Sequence, residues 1–485
     1  MKEKQHPAFT AEEIIRATGG SLIQGSVGQR VTGVSTDSRT VNKDNLFIPL
    51  VGDRYDGHAF IENAVNKEAA GILTQRGREG DTARIPDHIF IISVDDTLTA
   101  YGDIAGFWRN RFDIPVIAVT GSSGKTTTKE MAASITGLSK TVLKNKGNLN
   151  NLVGLPLTVL EMNSDHEVAI LEMGTNRPGE IARLTAIARP SVGVITNVGP
   201  AHLEGLKSLE GVREEKGALF STMEQESVAI VNYDDTAVVT AAQSWRGKRI
   251  TYGMHEDAYI RADGVTQKGA SGLHFILIIG EERKEVALPV LGVHNVHNAL
   301  AAAACSWSLD IDFDDICRGL ATFTQVDGRM ELHSLMNGTY LIDDTYNANP
   351  SSVREALRAL KELKGPHRSI VIFGDMLELG DSAKEKHEDI GRYMADTTVD
   401  TIFLRGKFSQ RVASGAKKNG FPGDRIFFIN DPVETAIHLK TYLREGDWIL
   451  IKGSRKLKME EVSTAIIDLC GETQEQKNPD TRIES

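Results

Sequence analysis

Residues 121–126, Gly-Ser-Ser-Gly-Lys-Thr, put a lysine and a hydroxyl directly behind two glycines. The backbone N–H groups of a tight glycine turn, the positive end of the next helix and one ammonium would converge there. That combination suits a polyphosphate, with the Thr126 hydroxyl on Mg²⁺. The usual phosphate-loop spacing asks for glycine at position 119, but Val119 stands there, so this turn is two residues tighter than the standard pattern. An ordinary strand-to-helix turn with a solvated lysine is the bland alternative. The apolar run VIAVT before the loop and the helix-forming TTTKEM after it favour the phosphate site. Magnesium prefers about six ligands, so one threonine is not enough. Glu172, ending VAILEM, and His202, following VITNVGPA, are the next candidates in chain order, although each alone also reads as a hydrogen-bonding group at a strand end.

These residues need a rigid support. Apolar, β-branched runs recur at 116–120, 168–173, 192–198, 228–232, 369–375, 400–406 and 447–454, each followed by a helical pattern. Continuous apolar strands bounded by Gly and Asp predict a parallel sheet covered on both faces, hence α/β architecture. Ligands of such sheets gather at the carboxyl ends of strands, where Thr120, Glu172, Asn197, Asp375 and Lys452 fall. Residues 250–290 alternate and turn like a β-hairpin inserted before an Ala-rich helix. Seams at VDDTL (94–98) and TQVDGRM (324–330) divide the chain into regions 1–96, 97–326 and 327–485. The last fifteen residues are polar and expected to fray.

At 485 residues the chain exceeds one ordinary core and fits about three domains. A net charge of −11 argues against a protein that coats nucleic acid or an anionic bilayer. Cys305, Cys317 and Cys470 form no Cys-x-x-Cys pair, which suits reduced, packed thiols. No apolar run reaches the roughly 18 residues of a membrane span and the amino terminus has no apolar leader, so a cytoplasmic protein without membrane insertion is expected.

At this point the chain resembles a known family, the Mur ligases, ATP-dependent enzymes that extend the peptide of the bacterial cell-wall precursor. The tight loop TGSSGKTTTKEM looks like the family's own phosphate loop. GNLNNLVGLPLT (147–158), EMGTNRPGEI (172–181), TNVGPAHLEGL (196–206), LGVHNVHNALAA (291–302), DGRME (327–331), DDTYNANPSS (343–352), FGDMLELG (373–380) and KGSRKLKMEEV (452–462) resemble further family blocks. The resemblance spans all three regions. It implies a small N-terminal α/β domain for the UDP-muramoyl substrate, a central ATP-binding domain with a mostly parallel sheet, and a C-terminal Rossmann-like domain. DDTYNANPSS and FGDMLELG look most like the branch that joins D-alanyl-D-alanine to UDP-N-acetylmuramoyl-tripeptide; a member adding a single amino acid, or a nucleotide-binding switch without ligation, is the alternative.

Residue by residue, the resemblance implies that Gly121, Ser122, Ser123, Gly124, Lys125, Thr126 and Thr127 hold ATP, and that Thr126, Glu172 and His202 hold up to two Mg²⁺ ions, with Lys125 and His202 catalytic. It places Asn295, Asn298, Arg329 and Asp344 around the nucleotide, although Asn298 also reads as a helix cap before ALAAAA. Lys216 in REEKGALF matches a catalytic lysine that carries CO₂ as a carbamate and so becomes an anionic metal ligand; a surface ion pair with Glu214 or Glu215 is the alternative. Ser35, Thr36, Asp37 and Arg39 in VSTDSRTV look like the UDP-sugar pocket, or else a polar turn. Asn148, Asn150 and Asn151 would assist that substrate, and Asn347, Asn349, Lys452, Ser454 and Arg455 would meet the incoming dipeptide or the acyl group. A monomer is expected.

Overall fold

A computed structural model describes residues 7–52 and 55–471. Residues 1–6 and 472–485 lie outside them, so the expected fraying of the tail falls almost wholly outside the described residues.

The central sheet has nine strands in the order Glu282–Leu288, Leu273–Ile279, Ile260–Gln267, Lys248–Gly253, Val228–Asn232, Val192–Ile195, Val116–Thr120, Val168–Glu172, Val142–Lys144. From Ile260–Gln267 onward every pairing is parallel. The apolar runs are continuous because both faces are covered. Val116 and Ala118 enter a core beneath the helices Thr97–Arg109, Gly154–Leu160 and Glu180–Ala188, whereas Ile117 and Val119 face Lys125–Thr136 and the Ala-rich His294–Trp307. Residues 250–290 are not a separate insert. Their strands form an antiparallel meander that extends the central sheet, because Tyr252 pairs in parallel with Ile260, and Phe275 and Leu277 share a core with Ile117.

A six-stranded sheet follows, in the order Glu331–Ser334, Tyr340–Asp344, Trp448–Lys452, Ser369–Gly374, Thr401–Arg405, Ile426–Phe428, antiparallel only at its first pair. The N-terminal sheet has five strands, Ser21–Gln24, Phe90–Val94, Gly71–Gln75, Leu46–Phe47 and Val34–Ser35 in spatial order. Helix Thr97–Arg109, capped by Asp96, packs on both the N-terminal helix Ala11–Thr18 and the central helices. Its Trp108 is 2% exposed and donates from Nε1 to the Met162 carbonyl at 3.0 Å, so truncation to Ala would cost about 3–5 kcal/mol. Among the described residues no helix is long and apolar enough to cross a membrane, and the three cysteines are buried and unbridged.

Candidate active site between the central and C-terminal sheets

Val116–Thr120 lies between Val192–Ile195 and Val168–Glu172, so the strand order reverses at its carboxyl end and opens a crevice there. The loop after it fills that crevice. Gly121 has φ 152°, and a Cβ there would fall 1.8 Å from the Thr196 hydroxyl; Gly124, at φ 78°, would meet Asn298 Oδ1 at 2.2 Å. Both glycines are therefore required by close approach as well as by backbone angle. Asn197 fastens the turn, accepting from the Ser123 N–H at 2.9 Å and donating to its hydroxyl at 3.0 Å. Helix Lys125–Thr136 starts immediately, without a side-chain cap, which leaves its first N–H groups for a ligand.

Ser122 through Thr127 line a cavity of about 320 Å³. Lys125 donates to the Gly121 carbonyl at 2.7 Å, and burial lowers its pKa, with the nearby Glu172 charge opposing the shift. Glu172, 3% exposed, accepts from the Thr126 hydroxyl and from Asn150 Nδ2, each at 2.8 Å. Asn145 locks the Glu172 backbone on both its N–H and its carbonyl at 2.9 Å. Asn151 accepts from the Val153 and Gly154 N–H groups at the next helix start, as expected of GNLNN.

His202 also lines the cavity and pairs through Nδ1 with Glu378 at 2.7 Å; that contact holds the Glu378 carboxyl below the usual carboxylate range. The Thr126 hydroxyl touching the Glu172 carboxylate gives two hard oxygen donors of the kind Mg²⁺ takes, and the imidazole of His202, a borderline donor, lines the same cavity. Thr126, Glu172 and His202 would hold it.

The opposite wall comes from the C-terminal sheet. Arg329 donates to the Thr126 hydroxyl, and its guanidinium lies 4.0 Å over the Tyr346 ring. Its Nε is buried without a partner, a donor left for a ligand. Asp344 and Lys452 meet at 2.5 Å, and Lys452 also donates to the Asn347 carbonyl, so these two engage each other rather than standing free. Burial raises the Asp344 carboxyl despite that lysine. Asn349 caps helix Pro350–Lys364 and reaches the Ser122 carbonyl at 3.4 Å. Arg455 lines the cavity near Tyr346. Ser454 does not line it: its hydroxyl accepts from the Leu377 N–H and donates to the Ala348 carbonyl, tying two loops together beside the cavity.

Asn295 and Asn298 line the cavity from His294–Trp307, so Asn298 lies a turn inside that helix and is not its cap. Their amides bond mainly each other and the Leu291 carbonyl, while the Thr128 hydroxyl reaches Asn298 at 3.4 Å, so they brace the phosphate-loop helix. A second recess of about 190 Å³ adjoins the loop, lined by Asp234, Tyr252, His297 and Glu355 among others.

Lys216 is 1% exposed on helix Leu209–Thr222 and does not line the cavity. The surface ion pair does not exist. Glu214 is exposed, while Glu215 is buried and accepts from Thr175, Gly179 and Ile181. Burial, reinforced by the Lys125 charge, pushes the Lys216 amine well below the usual lysine range.

Ser35, Thr36, Asp37 and Arg39 stand apart from the cavity. Arg39 grips Asp37 through Nε and Nη2 and holds its carboxyl down to about 2, and the Ser35 hydroxyl donates to the Asp37 carbonyl. Sequence reasoning missed Tyr346, Glu355, Glu378 and His294 as cavity residues; all four lie in or beside the quoted blocks, but nothing in their spacing shows which way they face.

Comparison with known proteins bears on this arrangement. Three family models match: the Mur ligase middle domain over residues 119–306, the glutamate ligase domain over 328–455 and the Mur ligase family catalytic domain over 30–109. The UDP-N-acetylmuramoyl-tripeptide--D-alanyl-D-alanine ligase of Bacillus subtilis is 36% identical across 95% of this chain and 98% of its own length. The Escherichia coli protein of the same name is 35% identical across 89% and 93%. A crystal structure of MurF from Acinetobacter baumannii superposes with a TM-score of 0.85 at 30% identity, covering 96% of this chain and all of that one. MurF from Thermotoga maritima in complex with ADP gives 0.80 at 27% identity, covering 90% and 97%. With all three regions matched and the likeness running nearly end to end, the chain belongs to the Mur ligase family.

Proposed function

We propose that this chain joins D-alanyl-D-alanine to UDP-N-acetylmuramoyl-tripeptide at the expense of ATP, as the names of its relatives say of them. One observation carries the reading: a phosphate loop and a carboxylate on one sheet face Arg329, Asp344 and Lys452 from another across a single cavity. A ligase needs that enclosure, because the activated acyl group must be kept from water. Regions 1–96, 97–326 and 327–485 serve as muramoyl-substrate, ATP and dipeptide domains, in a cytoplasmic monomer that binds neither nucleic acid nor membrane.

An amine does not displace oxide from a carboxylate. ATP therefore phosphorylates the terminal carboxylate of the tripeptide, and the amino group of D-alanyl-D-alanine attacks the acyl phosphate, expelling phosphate. The loop N–H groups and Lys125 hold the β- and γ-phosphates, and the Arg329 guanidinium, stacked on Tyr346, supplies a second fixed cation. Thr126, Glu172 and His202 would hold Mg²⁺, which would supply positive charge against the transferring phosphoryl group. Lys216, whose lowered pKa supplies the neutral amine that CO₂ requires, carries a carbamate. Asn150 orients Glu172, and Lys452 and Arg455 face the acyl end. Phosphate release measured over a panel of muramoyl peptides and amines tests this. It should require both the tripeptide and D-alanyl-D-alanine; release without an amine would indicate a switch, and release with single amino acids another branch of the family.

A further inference from the structure

His202 follows a strand of the central sheet and Glu378 follows a strand of the C-terminal sheet, and their side chains meet at the seam between them. Both residues hold left-handed backbone, at φ 55° and 62°. Non-glycine residues rarely adopt it, and it persists where the surroundings impose it. Here they do. The His202 carbonyl accepts from the Gly205 and Leu206 N–H groups at 3.1 and 2.9 Å. On the other side three successive residues are pinned: His387 Nε2 accepts from the Met376 N–H at 2.9 Å, Ser454 from the Leu377 N–H at 2.8 Å, and the Glu378 carbonyl from the Glu204 N–H at 3.2 Å. The last of these bonds also crosses the seam. An imidazole donating from Nδ1 to a fixed carboxylate keeps its lone pair on Nε2, and its ring no longer rotates freely.

We propose that Glu378 is a positioning residue for His202, acting across the domain seam: it fixes the tautomer and orientation in which the imidazole binds a divalent cation, so that this ligand is complete only while the C-terminal domain is docked. The proposal rests on the metal reading of Thr126, Glu172 and His202 given above.

Mn²⁺ binding to the full chain with ADP, followed by paramagnetic resonance of the free ion, tests it without turnover. His202→Ala should weaken one Mn²⁺. Glu378→Gly should weaken the same ion by about 10- to 100-fold, add little in the His202→Ala background, and leave the melting temperature unchanged or raised, since glycine accepts a φ of 62°. Glu378→Asn, also at ease there but too short to reach His202, should behave alike and decides the matter if the glycine variant does not fold. Glu378→Gln keeps an acceptor and should recover part of the affinity. Wild-type Mn²⁺ affinity in the Gly or Asn variant, with His202→Ala impaired, overturns the positioning role, as do fully additive losses in the double variant. Wild-type affinity in His202→Ala itself overturns the metal reading and this proposal with it.

Discussion

Arg329 and Thr126, 203 residues apart in sequence, are joined by a 2.8 Å hydrogen bond from Nη2 to Oγ1. That hydroxyl in turn donates to Glu172, so a guanidinium from one sheet and a carboxylate from another meet through one oxygen. A cation bound at Thr126 would compete for the lone pair that Arg329 uses, and the freed guanidinium, still stacked on Tyr346, would then turn toward phosphate. Arg329→Ala should weaken ATP roughly ten- to hundredfold, the worth of a charged hydrogen bond, and leave the muramoyl peptide nearly unaffected. Arg329→Lys should restore only part, because an ammonium lacks the fork and the stacking plane. Calorimetric titration of both ligands checks this; an equal loss of both would place the nucleotide elsewhere.

Lys125→Ala should keep the fold, since among the described residues the ammonium bonds only the Gly121 carbonyl of its own loop, yet lower turnover on the order of 10³-fold, roughly 4 kcal/mol of transition-state stabilisation. Wild-type turnover with an unchanged circular dichroism spectrum would remove the loop from the mechanism.

Gly124→Ala should abolish ADP binding and lower the melting temperature. The added methyl would meet Asn298 Oδ1 at 2.2 Å in a backbone conformation that alanine resists, at a cost of about 1–3 kcal/mol. Gly147→Ala is the control: its φ is 54°, so it carries similar backbone strain, but nothing lies within 4 Å of its Cβ, and nucleotide affinity should survive. Similar ADP affinity in the two variants would mean that contact with Asn298 does not shape the loop.

Strands such as Val116–Thr120 and Trp448–Lys452 were legible because a sheet covered on both faces needs unbroken apolar runs, and the phosphate loop was legible because it is local. The meander at 250–290 was visible as turning strands, but its membership of the central sheet depends on the parallel step from Tyr252 to Ile260, which leaves no local mark. Glu378, Tyr346 and Glu355 face the cavity only because two sheets dock, and no spacing within one segment carries that information. Asn298 looked like a cap because the helix start at His294 falls four residues before it. REEKGALF looked like a solvated helix face for a related reason. Its Glu215 turns inward to bond the Gly179 and Ile181 N–H groups of a segment 34 or more residues away, and Lys216 is buried with it.

That burial makes Lys216 the most informative position. Its pKa lies well below the ordinary 10.5, so between the two values the unfolded chain binds a proton that the folded chain does not. The sign follows: this group's contribution to stability is fully present above about pH 10.5 and is lost as pH falls toward the lowered value. Lys216→Met removes the desolvation and should flatten that dependence, melting higher than the CO₂-depleted wild type at neutral pH in a calorimetric scan. Turnover should move the other way. A carbamate supplies an anion that methionine and alanine lack, so both variants should lose activity on the order of 10²-fold, and wild type should slow in CO₂-free buffer and recover with bicarbonate. Acetate or propionate should restore part of the Lys216→Ala activity by placing a carboxylate in the vacated space, and none of the Lys216→Met activity, where the side chain still fills it. A stable, fully active Lys216→Ala without added acid would reduce this lysine to a packing residue.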